Sequence, residues 1–210
     1  MKVFLSGKVD EHSGKWRDLL LDEKWVDGQP RPQWELVHDT DDLFDKPFAN
    51  WPLLKGVIMR SHDYVGPYRQ TIPDEGSNKN FGYFHGIDSR GSHGQMNMDD
   101  QQRVVAACMA AIDKCDMLFA FLNTMDCYGT ISEIGYARAK GKFIAVVVRG
   151  ETFGDDMWFP SLMADFIFNA NREDLTEKEA LERAFLEAVS SFVARPTRLS
   201  NALQSVLSHG

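Results

Sequence analysis

Short apolar runs alternate along the chain with segments whose apolar residues recur at helical spacing, and this alternation predicts parallel strands joined by crossover helices. "KVFLS" at residues 2–6 is the first such run and "GVIMR" at 56–60 the second. "MLFAFL" (117–122) and "FIAVVV" (143–148) have no alternating polar positions, as expected of strands buried on both faces. With "VFLS" they should be neighbours near the middle of a parallel sheet of about five strands with helices on both faces.

The helical segments have clearer faces. "SGKWRDLLLDEKW" predicts a helix with Trp16, Leu19, Leu20 and Trp25 inward, and the "DGQPRPQWE" after it is turn and loop chemistry. Residues 27–55 show no assignable pattern. "MDDQQRVVAACMAAIDKC" predicts a helix starting near Asp99, with Gln102 in capping-box spacing and Val104, Val105, Cys108, Met109 and Ile112 on one face. A further helix should run from about Thr130 to Lys140 between the two central strands. The last starts at Thr176, has Glu179 three residues on, and carries Leu181, Ala184, Phe185, Ala188, Val189, Phe192 and Val193 as its apolar stripe. Residues 61–96 have neither period and read as an elaborated loop, and 196–210 as a short amphipathic turn or a subunit contact.

Composition narrows the class. With 210 residues, 43% of them hydrophobic, the chain can bury one substantial core, so residues 1–210 are expected to form a single α/β domain. A net charge of −8 argues against a grip on nucleic-acid phosphates and favours a small-molecule partner. The three cysteines, Cys108, Cys115 and Cys127, do not look like a secreted disulfide framework, and no apolar run approaches membrane-spanning length. The expectation is a cytoplasmic protein of reduced thiols, with no membrane partner.

The chemistry-bearing stretch is "DCYGTISEIGYARAKGK", residues 126–142, between the two central strands. In an open parallel sheet ligands bind beyond the carboxyl ends of the strands, where "MLFAFL" delivers the chain into "NTMDCYGT". Two readings of Glu133 compete there. Thr130 and Glu133 have the T-x-x-E spacing of a capping box, or Glu133 is a carboxylate held ionised by the helix dipole and suited to nucleophilic work. Gly129 permits close approach of a ligand and equally satisfies a turn.

The same stretch resembles the signature of the nucleoside 2-deoxyribosyltransferase family at Gly129, Thr130, Glu133, Gly135, Ala137, Ala139, Gly141 and Lys142, and "VFLSG" resembles that family's first strand and the glycine turn, Gly7, after it. The resemblance covers residues 2–7 and about 104–148. It implies a flavodoxin-like, doubly wound α/β fold and chemistry at an N-glycosidic bond, with Glu133 attacking the anomeric carbon of the sugar. It also implies a homodimer or higher homo-oligomer whose pockets are completed by a neighbouring subunit. The chain departs from the family at three supporting positions. Phe4 stands where the family has a tyrosine, Cys108 where it has an aspartate, and Cys127 where it has an aspartate or serine.

Replacements for those groups can be ranked by place. Asp116 begins the strand "MLFAFL" and belongs at the wrong end of the sheet, whereas Asp126 lies on the correct rim, as a proton donor, a sugar ligand or an ordinary turn residue. Cys127 is a reactive thiol or a bystander near a helix N-terminus, and Cys108 reads most simply as a small core residue. The 61–96 loop gathers His62, Asp63, Tyr64, Tyr68, His85, Asp88, Arg90 and His93 without the spacing of a metal site. As a lid it would stack aromatics such as Tyr64 on a base, with Arg69, Arg90, His85 or His93 meeting a phosphate or a proton; a purely structural loop fits as well. No metal or cofactor is called for. The sequence therefore points to a glutamate-dependent nucleoside or nucleotide deoxyribosyltransferase or N-glycoside hydrolase, NAD-like dinucleotides included. The alternative is a sensing module that kept the fold without turnover.

Overall fold

The computed structural model describes residues 1–7, 16–20, 23–26, 29–32, 34–37, 53–59, 61–66, 98–124, 127–150, 157–172 and 174–195. In chain order the elements are β1 (Lys2–Gly7), α1 (Trp16–Leu20), β2 (Glu23–Val26), β3 (Gln29–Pro32), β4 (Trp34–Val37), β5 (Leu53–Ile58), β6 (His62–Gly66), α2 (Met98–Lys114), β7 (Met117–Leu122), α3 (Tyr128–Ala139), β8 (Phe143–Val148), α4 (Trp158–Leu162), β9 (Phe166–Asn169) and α5 (Glu177–Ala194). A seven-stranded sheet has the order β4-β5-β6-β1-β7-β8-β9. The five strands from β6 to β9 are mutually parallel, and β5 and β4 add antiparallel pairings at one edge. β1, β7 and β8 are central neighbours, as their unbroken apolar character requires.

Period-two alternation sorts the side chains of these strands to two faces. Val3 and Leu5 of β1, Met117, Phe119 and Phe121 of β7, and Phe143, Ala145 and Val147 of β8 face α1 and α5 in one apolar cluster. Phe4, Leu118, Ala120, Leu122, Ile144, Val146 and Val148 face α2 and α3 in a second cluster. The α/β, doubly wound reading is thus borne out.

Several sequence expectations need correction. "GVIMR" is not a parallel strand: its first three residues end β5, which pairs antiparallel with β6, and Met59 turns the chain with φ 43°. β6 itself falls in the segment read as loop. Two of its five residues are only partly buried and one is exposed, so it has too little apolar length to announce itself, yet it pairs parallel with β1. Gly66 permits this, because a Cβ there would meet the Phe4 ring at 2.8 Å. "DGQPRPQWE" holds β3, paired antiparallel with β2, and the start of β4, while Trp25 lies in β2 rather than on a helix.

The α2 seam runs through Cys108, Ala111, Ile112 and Cys115, and Val105 falls off its edge, 56% exposed. On α5 the Thr176–Glu179 capping box is present in both directions. Leu181, Ala184, Phe185 and Ala188 are buried there, but Val193 is 75% exposed. Adjacent helical residues point about 100° apart, so with Phe192 edge-on to Phe143 at 5.5 Å, Val193 turns to solvent.

Candidate active site at the carboxyl ends of β1 and β7

From β1 the chain moves to β6 on one side, and from β7 it proceeds to β8 and β9 on the other, so the winding reverses between β1 and β7. Strand ends at such a reversal leave a crevice where ligands of open α/β sheets bind. Parallel pairing sets Ser6 beside Ala120 and Gly7 beside Phe121 at these ends. Alternation from Phe4 directs Ser6 toward the α2 and α3 side.

Helix α3 arrives on that same side. It begins at Tyr128, with Cys127 as N-cap, two residues earlier than the sequence pattern suggested. Glu133 therefore lies in the second turn, and the first turn holds no acidic residue. The T-x-x-E capping box does not form: Thr130 is inside the helix and no side chain caps it. Instead Thr130, Glu133, Ile134 and Ala137 make the buried face, with Glu133 only 6% exposed. The Ser6 hydroxyl donates to Glu133 Oε2. The Cys108 thiol bonds the same carboxyl from α2.

Burial pushes the Glu133 carboxyl up to about 7, even though Ser6, the Arg17 guanidinium and Cys108 each favour its ionised form. The dipole argument for a firmly ionised glutamate is thus overturned by position and desolvation. Arg17 is fully buried, its Nε donating to the Leu5 carbonyl at 3.0 Å and its Nη2 to the Gly7 carbonyl at 2.7 Å. It secures the end of β1 and supplies positive potential to a carboxylate with little solvent around it. The Cys108 thiol is held protonated by burial and by the neighbouring Glu133 charge. A carboxyl group near 7 can serve as nucleophile or as proton carrier at neutral pH.

The other sequence candidates are distributed unevenly. Phe4 is fully buried in the α2 and α3 cluster, and Cys127, also buried there, bonds the Thr124 carbonyl at 3.2 Å. Gly7 is the last residue of β1, and a Cβ there would come within 2.7 Å of the Trp16 ring, so packing alone requires it. Gly129 lies in the first turn of α3, with no described atom within 4 Å of a Cβ built there. Tyr64 is a correction: it is buried in the α1 and α5 cluster, on the opposite face from Glu133, because its strand register beside Val3 turns it there. Asp126, His85, Arg90 and His93 lie outside the described residues. Asp116 is at the amino ends, accepting from Lys2 N at 2.7 Å, as its place immediately before β7 implied.

The second half of the signature is structural. Gly141, at φ 66°, and Lys142 close a Schellman turn on α3, their amides donating to Arg138 and Ala137 carbonyls at 3.0 Å. The Lys142 ammonium then ties down the end of α2 through the Asp113 and Cys115 carbonyls at 2.7 and 2.8 Å. Sequence reasoning missed Ser6 and Arg17. A serine interrupting the apolar "VFLSG" was the available signal; nothing local marked Arg17. Among the described residues no cluster of His, Cys, Asp and Glu could hold a metal, and no helix is long and apolar enough to cross a membrane.

With that geometry in place, comparison with known proteins is informative in one respect. Residues 61–157 match the family model for nucleoside 2-deoxyribosyltransferase, a span that takes in α2, β7, α3 and β8 and so the whole Glu133 segment. The resemblance carried by residues 126–142 is thereby borne out. A solved CMP N-glycosidase from Clostridium botulinum is 26% identical over 40% of this chain and 72% of its own, with a TM-score of 0.31, a superposition too loose to bear on fold or function. No curated protein matches the chain.

Proposed function

We propose that the chain is an enzyme of N-glycosidic chemistry, cleaving or transferring at the base–sugar bond of a nucleoside or nucleotide, with Glu133 as nucleophile. The observation that carries this reading is the position of Glu133: a buried carboxyl group, tied to Ser6, at the strand ends where the winding of the sheet reverses. The family match over residues 61–157 supports the same chemistry.

In the proposed reaction an ionised Glu133 oxygen forms a bond to the anomeric carbon as the carbon–nitrogen bond breaks, and the base leaves with that electron pair and takes up a proton. Water or a second base then attacks the same carbon and releases the carboxylate. Ser6 orients the attacking carboxyl, and Arg17 lowers the cost of its ionised form. Cys108 stands where the resemblance places an aspartate, and a thiol held protonated is a poor proton donor at neutral pH. Asp126 remains the proposed acid or sugar ligand. A test is to incubate the protein with nucleosides, nucleoside monophosphates and NAD, with and without an acceptor base, and to follow free base by chromatography. Base release from at least one of them is the expected result.

A second reading, a nucleotide-sensing module without turnover, draws on the same carboxyl group. Ser6 and Cys108 both engage it, and Phe4, Cys108 and Cys127 replace the polar groups of the family. Ligand binding without base release across the panel would favour that reading.

A further inference from the structure

The chain leaves β7 through Asn123 and Thr124, and the backbone on either side of Asn123 is hydrogen-bonded. The Arg149 amide donates to the Leu122 carbonyl at 3.0 Å, and the Cys127 thiol to the Thr124 carbonyl at 3.2 Å. On its β8 side stands Gly150, whose amide and carbonyl are both bound by the Asn171 side chain at 2.7 Å. A Cβ on Gly150 would stand 3.8 Å from the Asn123 carbonyl. Yet Asn123 Oδ1 and Thr124 Oγ1 are both buried and have no hydrogen-bond partner. Leaving such groups unpaired is costly, on the order of 1–3 kcal/mol each, so their persistence needs an explanation. Of the three other such atoms among the described residues, Trp16 Nε1 and His62 Nδ1 lie with the aromatic side chains of the α1 and α5 face, and Arg149 Nη1 stands 3.8 Å from Glu177 Oε2 as an ion pair without a hydrogen bond. Asn123 and Thr124 are instead on the crevice rim, with Leu122 two residues, about 7 Å, beyond the Ser6 level.

We infer that Asn123 and Thr124 form a subsite for the hydroxyl groups of the substrate's sugar, Asn123 Oδ1 accepting from one hydroxyl and the Thr124 hydroxyl pairing with another. The inference rests on the proposed function and names the group recognised at that same crevice. The Asn123 acceptor favours hydroxyls over a phosphate. Among the described residues Arg17 is hydrogen-bonded to the Leu5 and Gly7 carbonyls, and the Arg149 charge is balanced by Glu177, whose Oε2 lies 3.8 Å from Arg149 Nη1. An unpaired carbonyl oxygen repels an anion and accepts from a hydroxyl. A pentose with its anomeric carbon at Glu133 extends along the strand ends to this turn.

The experiment is calorimetric and independent of turnover. Binding of adenosine, guanosine, cytidine and uridine to the Glu133→Gln chain is compared with binding of the matching free bases, in that background alone and with Asn123→Ala, Thr124→Val or Thr124→Ser added. The expected result is a nucleoside that binds more tightly than its base, with that advantage cut about tenfold by Asn123→Ala or Thr124→Val and kept by Thr124→Ser, all variants melting cooperatively. An advantage that survives both deletions overturns the subsite, as does the absence of any advantage over the free bases. Failure of the subsite and failure of the proposed chemistry separate cleanly. Unchanged sugar-dependent binding alongside base release by the parent removes only the subsite, while lost sugar-dependent binding in a parent that never releases base removes only the chemistry.

Discussion

Ser6 and Glu133 are 127 residues apart in the chain and joined by a buried hydrogen bond, hydroxyl to carboxylate, at the carboxyl ends of the central strands. That bond is the tie between β1 and α3 on which the carboxyl's orientation depends. Ser6→Ala removes a donor that favours the ionised form of Glu133, so the midpoint of the acidic limb of the pH–rate profile should move to higher pH. Stability at pH 8 should fall by about 1–3 kcal/mol, since a buried charge loses a partner. Base-release rates from pH 5 to 9 and thermal melts of the two proteins check both effects.

The raised Glu133 pKa also makes a statement about folding. In the unfolded chain the carboxyl titrates near its ordinary 4.5, and in the folded protein at about 7. The folded state therefore binds more protons between those values, and its stability falls as pH rises through that window, by roughly 3 kcal/mol from this group alone. Glu133→Gln abolishes this contribution. Its stability relative to the parent should accordingly rise from pH 4.5 to 7, which paired melts across that range would show. A difference that does not change with pH would mean that the carboxyl is ionised throughout.

The buried thiols should be inert. Burial pushes Cys115 up to about 12 and Cys108 still higher, and Cys127 is enclosed at the N-cap of α3. A thiol-specific disulfide reagent at pH 8 should leave all three unmodified in the folded protein over minutes and titrate all three after denaturation. Rapid modification of Cys127 in the native state would restore the reactive-thiol reading.

How much of this was legible in the sequence depended on how local each signal was. The unbroken apolar runs of β7 and β8, the capping box and most of the stripe of α5, and the existence of a helix around Glu133 rest on contiguous patterns, and these stand in the structure. β6 was missed because "HDYVG" owes its strand state to pairing with β1 and β5, not to its own composition. Glu133 was placed in a first turn because "GT" looked like a helix start, while the helix begins at Tyr128 without a side-chain cap. Ser6 and Arg17 are partners across the tertiary fold, and no spacing rule connects either to Glu133.

The signature's two halves should separate experimentally. Gly141 holds a left-handed conformation that an L side chain resists, and it is remote in role from the carboxyl. Gly141→Ala should cost about 1 kcal/mol of stability with base release per folded molecule unchanged, as measured by melts and rates on the same preparation.

The most direct measurement is base release by Glu133→Gln on the best substrate from the nucleoside, nucleotide and NAD panel. Glutamine keeps the shape of the side chain and can still accept from Ser6, but it cannot form the glycosyl bond. A fall of several orders of magnitude in a protein that remains folded is the predicted result. Release at near the parental rate would contradict the covalent role of Glu133.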